Sequence, residues 1–89
     1  MGGPMEWIDR LAEGIGVEPL TSQEVTRLLA ASREVAHRVE RKVTPLASFL
    51  VGMGVSKRIA DGDSREVAFD DTLDALLRRL PDAPPEVPT

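Results

Sequence analysis

The single histidine, His37, stands in a row of cations, with Arg33 four residues before it, Arg41 four residues after it and Lys42 next in line. On a helix, four-residue steps put Arg33, His37 and Arg41 on one face. Donors at that spacing could hold the phosphates of a nucleotide or pterin by charge-assisted hydrogen bonds, and histidine is the usual acid or base near neutral pH. The competing account is a solvated polar face, which is what most charged helical rows are. Arg33, His37, Arg41 and Lys42 are therefore the candidate anion or phosphate ligands. A second constellation, Glu66, Asp70 and Asp74, repeats carboxylates at four-residue steps. Oxygen ligands of this kind suit a hard cation such as Mg²⁺, but no further histidine or carboxylate in the sequence points to the same place. A solvated acidic face, or salt bridges to another helix, is the simpler account, and no metal site is assigned.

Other chemistry is excluded more directly. Asp61 and Asp63 invite comparison with the start of a calcium-binding loop, but Arg65 at the fifth position, no glycine at the sixth and Thr72 at the last defeat it. None of Ser22, Ser32, Ser48, Ser56 and Ser64 lies in a G-x-S-x-G turn, and no glycine-rich loop cradles phosphate. With no Cys, no Tyr and one His, the chain lacks the equipment of an independent enzyme, and no catalytic residue or cofactor is assigned.

The 89 residues, 42% hydrophobic and 29% charged, suit one small domain with a modest core. A net charge of −4 argues against nucleic acid as a partner. A helix-turn-helix reader is also excluded, because the candidate recognition helix, 46–55, is apolar throughout. That apolar run is too short to span a bilayer, which takes about 20 residues. The N-terminus lacks a basic region followed by an apolar run, so no signal peptide is expected. The absence of Cys suits a reducing compartment, and the cytoplasm is the expected location. Charge is uneven: residues 21–42 carry five basic and three acidic side chains, residues 61–80 three basic and six acidic.

The elements that must position these residues are helical. Trp7, Ile8, Leu11, Ala12 and Ile15 predict a first helix near 5–13, ended by Gly14 and Gly16. Thr21 with Glu24 reads as a capping box, with Leu20 and Val25 as its hydrophobic staple. The stripe Val25, Leu28, Leu29, Ser32, Val35, Ala36, Val39, Val43 then predicts one helix over 22–42. Thr44 and Pro45 read as the cap and first residue of a third helix, 45–60. From Leu46 to Val55 only Ser48 is neither apolar nor glycine, so this helix is expected at the centre of the fold, buried all round. Ser48, Gly52 and Ser56 would let another helix approach it closely. Asp63 with Glu66, or Ser64 alone, caps a fourth helix over 64–80, whose buried stripe is Phe69, Thr72, Leu73, Leu76, Leu77 and Leu80. The expectation is an all-α, compact four-helix domain over 5–80 with a central buried third helix. A flexible start, 1–4, and a disordered Pro-rich tail, 81–89, flank it.

The segments E-W-I-D-R-L-A-E-G-I-G-V at 6–17 and R-E-V-A-H-R-V-E-R-K-V-T-P-L-A-S-F-L-V-G at 33–52 resemble a small family of uncharacterised bacterial domains. These occur alone or attached to molybdenum cofactor guanylyltransferase-like proteins. The similarity covers about residues 5–80, and its motifs are helix-packing patterns without known chemistry. It implies a non-catalytic accessory or interaction module linked to molybdopterin guanine dinucleotide biosynthesis, with a guanylyltransferase-like protein as partner. The transferase's glycine-rich nucleotide-binding segment is absent here, so its activity does not carry over. The alternative is a helical homo-oligomer, a homodimer in the simplest case, with no small-molecule role.

Overall fold

Side-chain caps start two of the helices in this chain, helices being its regular structure throughout the described residues. The computed structural model describes residues 3–82. In order, α1 is Pro4–Ile15, α2 Ser22–Arg38, α3 Thr44–Ala60 and α4 Arg65–Arg78, with a 3₁₀ turn, Arg41–Val43, before α3. The described residues contain no strand. Met1, Gly2 and residues 83–89 lie outside them, and with these most of the expected start and tail.

Pro4 sits in the first turn of α1, where its missing donor costs nothing. The helix runs through Gly14 and stops at Gly16, whose φ of 91° is open to glycine at no steric cost. There the Gly16 amide donates to the Ala12 and Glu13 carbonyls, and the Val17 amide to Ala12. The capping box of α2 is formed as expected. The Glu24 amide donates to Thr21 Oγ1 at 3.1 Å, and the Thr21 amide donates to Glu24 Oε1 at 2.9 Å. Ser64 alone caps α4, accepting from the Val67 amide at 3.2 Å.

Two expectations about α2 and α3 require correction. α2 ends at Arg38, four residues before the expected end. Val39 leaves the helical region and Glu40 is extended, φ −169° and ψ 143°. A helix running to Lys42 would abut α3 with no residues left to reverse the chain. Pro45, lacking a donor, cannot bond to the Arg41 carbonyl, so the interruption falls just ahead of it. Nor does Thr44 cap α3. It is already helical, Val43 precedes it as cap without a side-chain bond, and Thr44 Oγ1 is buried with no hydrogen-bond partner.

The core is small. Ala31, Val51, Phe69 and Leu73 are its buried centre, with Leu28, Val55 and Leu76 packed against it. Ala31, which the expected stripe omitted, is buried on α2, whereas Leu29, which it included, is exposed. α3 packs on α4 and α2, but α1 packs on no other helix. The expected enclosure of α3 is consequently wrong on its outer side. Only Val51 of α3 is buried, whereas Leu46, Phe49, Leu50 and Met53 are 55–69% exposed. The molecule is 19 Å through its least dimension, about two helix diameters, so α3 has neighbours on one side only.

The close approach of α3 to its neighbour also falls at a different residue. A Cβ built on Gly52 would meet nothing within 4 Å, while one on Gly54 would lie 3.0 Å from Thr72 Cγ2. Thr72 cannot swing away easily, because its hydroxyl donates to the Ala68 carbonyl at 2.7 Å and accepts from Arg58 Nη1 at 3.1 Å. Gly52→Ala is therefore expected to gain up to about 1 kcal/mol from helix propensity. Gly54→Ala should lose about 1–2 kcal/mol, because overpacking outweighs the same propensity gain. Paired urea titrations test this, and equal shifts in the two variants would contradict the close contact.

Candidate functional site

Arg33 and His37 lie one turn apart on α2 and both are exposed. Arg41 does not extend their row, since α2 ends at Arg38 and the chain reverses before the 3₁₀ turn that holds Arg41 and Lys42. Lys42 Nζ is 3.4 Å from Glu40 Oε1, and Arg38 pairs with Glu34 at 3.0 Å. The four candidate ligands thus stand on two elements, Arg33 and His37 on α2 and Arg41 and Lys42 in the 3₁₀ turn, rather than along one helix. A period carried through a helix that breaks is what aligned them on paper.

The acidic constellation is taken up by α2. Arg27 Nη1 donates to Asp70 Oδ1 at 2.7 Å and Nη2 to Asp74 Oδ1 at 3.2 Å, tying the two helices together across their outer faces. Glu66 is exposed beside them. Among the described residues, no three His, Cys, Asp or Glu side chains converge as metal ligands.

Arg65, in the first turn of α4, is the residue that pattern reading passed over. Its Nε donates to Glu24 Oε2 at 2.8 Å and its Nη2 to Glu24 Oε1 at 2.7 Å, a two-pronged grip on a largely buried carboxylate. Nη2 also donates to the Pro19 carbonyl at 2.9 Å, and Nη1 reaches Glu18 at 3.4 Å. One guanidinium therefore joins the starts of α2 and α4 to the connector from α1. Burial pushes the Glu24 carboxyl up, but the Arg65 hydrogen bonds, the Thr21 amide and the Arg65 charge together bring it below its ordinary value. A cavity of about 620 Å³ opens at this junction. That volume is in the small-molecule range, yet Glu24, Arg27, Arg65 and Asp70 on its wall are already paired with one another across the two helices. This is a structural junction.

What the fold leaves uncovered is apolar. Leu46, Phe49, Leu50 and Met53 fall at the three- and four-residue steps that make one helical stripe, here directed outward. Beside its Leu46 end, a groove of about 270 Å³ lies between α3 and the ends of α2 and α4, lined by Val39, Val43, Leu46, Leu50, Leu76 and Leu80. On α1, Met5, Trp7, Leu11 and Ile15 are all exposed, Trp7 by 57%. Glu6, Asp9, Arg10 and Glu13 occupy the opposite side of that helix. Isolated apolar residues at a surface mean little, but contiguous stripes of large ones mark contact sites.

The family model described as Domain of unknown function (DUF6457) matches residues 4–85. The chain belongs to the DUF6457 family. No curated protein and no solved structure matches it. The DUF6457 match begins at the first residue of α1 and continues past the end of α4. α1, which makes no helix contact of its own, is thereby inside the DUF6457 domain together with the exposed stripe of α3. No helix among the described residues is long and apolar enough to cross a membrane.

Proposed function

We propose that this chain is a non-catalytic interaction module of the cytoplasm, whose working surfaces are the uncovered apolar faces of α1 and α3. The observation that carries this reading is the outward stripe Leu46, Phe49, Leu50 and Met53, at least 55% exposed in each case. At roughly 25 cal/mol per Å², such area is stabilising only once covered. The composition supports the same reading, because a chain with one His, no Cys and no Tyr holds few groups for acid–base or covalent chemistry.

The partner proposed is a molybdenum cofactor guanylyltransferase-like protein, on the resemblance of residues 6–17 and 33–52 to domains found attached to such enzymes. The module would then act in molybdopterin guanine dinucleotide biosynthesis by holding or positioning the transferase. Co-purification from the source cell, with guanylyltransferase activity measured with and without the module, tests this. The expected result is a complex that Phe49→Asp weakens at least tenfold, together with a change in transferase activity when the module is added. Absence of both binding and any effect on activity would remove the transferase as partner.

A further inference from the structure

We propose that the apolar face of α1 docks on the outward face of α3 in a second copy of this chain, each copy giving its α1 to the other. This rests on the interaction-module reading but not on the transferase as partner, and makes the second copy the occupant of the two faces. The first support is that both are unpartnered in one chain, although α1 lies within the family domain. The second is charge. Residues 41–60, which run through the 3₁₀ turn and α3, contain Arg41, Lys42, Lys57 and Arg58 and no acidic residue. Residues 4–18, α1 and the start of its connector, contain Glu6, Asp9, Glu13 and Glu18 against Arg10 alone. The acidic residues of α1 lie behind its apolar face, so these opposite charges favour encounter of two copies at long range rather than pairing within the contact. Lys42 and Lys57 are each 79% exposed, so their charge contributes to that long-range attraction.

The third support is area. Four large apolar side chains on α1 and four on α3 are exposed. At roughly 100 Å² each, covering all of them buries close to the roughly 800 Å² per partner that a stable interface needs. One face alone would fall short, so a reciprocal contact using both is the arrangement that reaches it. The groove lined by Val39, Val43, Leu46 and Leu80 has room for an aromatic side chain, and Trp7 is the only tryptophan in the chain.

Sedimentation velocity of the full chain at micromolar concentration, with Trp7 fluorescence read over the same dilution series, tests this. The expected result is a dimer whose Trp7 emission shifts to the blue as it assembles. Trp7→Asp and Phe49→Asp should each raise the dissociation constant at least tenfold while circular dichroism remains helical. Leu50→Lys serves in place of Phe49→Asp should that variant fail to fold. A monomeric wild type or a dimer that survives Trp7→Asp would overturn the proposal. A monomer that still binds a transferase through Phe49 would overturn this proposal while leaving the interaction-module reading in place.

Discussion

Leu73→Ala is expected to cost about 2–5 kcal/mol of unfolding free energy, the range for truncating a leucine in a core that cannot collapse around the gap. Leu73 is fully buried and sits with Ala31, Val51 and Phe69 in the cluster that joins α2, α3 and α4. With so few buried side chains, there is little neighbouring volume to move into the cavity. Phe49→Ala provides the contrast. Phenylalanine removed from a core costs about 3–5 kcal/mol, but Phe49 is 69% exposed, so in the monomer its loss should stay within about 0.5 kcal/mol. Urea denaturation at a concentration low enough to hold the chain monomeric measures both. A Leu73→Ala loss below about 0.5 kcal/mol would place Leu73 outside the core. A large Phe49→Ala loss under the same conditions would mean that the outer face of α3 is covered within one chain.

The second large effect is expected at Arg65. Removing it leaves Glu24 buried with only the Thr21 amide as donor, and breaking a fully buried ion pair costs about 3–5 kcal/mol. The Arg65 side chain remains one-third exposed, so the solvent-screened loss for Arg65→Ala should be nearer about 2–3 kcal/mol at neutral pH. Arg65→Lys keeps the charge but loses the fork and should fall between wild type and Arg65→Ala. The pH dependence gives a separate signature. Glu24 is held below the ordinary carboxyl value of 4.5 in the folded protein. Its contribution is therefore complete above that value and is lost as pH falls through the depressed folded one. Arg65→Ala removes the chief lowering influence and leaves the burial that raises the group, so the variant does not share this acid loss. The gap between wild type and Arg65→Ala should consequently narrow as unfolding is measured from pH 7 down to about 4. A gap that is constant across this range would mean that Arg65 acts by packing rather than through the Glu24 carboxylate.

Much of the secondary structure was legible because its signals are local. The Thr21–Glu24 capping box, the Ser64 cap and the Gly16 stop act over three or four residues, and each is found where those residues place it, although α1 runs on through Gly14. The contact of Arg27 with Asp70 and Asp74 was one of two outcomes open from spacing, since Arg27 precedes them by more than forty residues. Arg65 carried no comparable signal. Its partners at Glu18, Pro19 and Glu24 are equally distant, and nothing in a local pattern selects one arginine among many.

The amino-acid sequence by itself determined that the chain is all-α, that α2 and α4 start at side-chain caps and which residues are apolar. Tertiary structure alone decided which of those apolar residues are covered. Composition marks α3 as apolar on every side, and a helix with neighbours all round would bury Leu46, Phe49, Leu50 and Met53. The number of neighbours depends on where α1 goes, and that is set by the turn at Gly16 and the Arg65 grip on the connector, not by anything within α3. In the same way, Arg33, His37 and Arg41 would share a face on an unbroken helix, but reversal of the chain before Pro45 breaks it at Arg38. Hydrophobicity states what an element gains from being covered, and only the path of the whole chain determines whether the chain itself provides the cover.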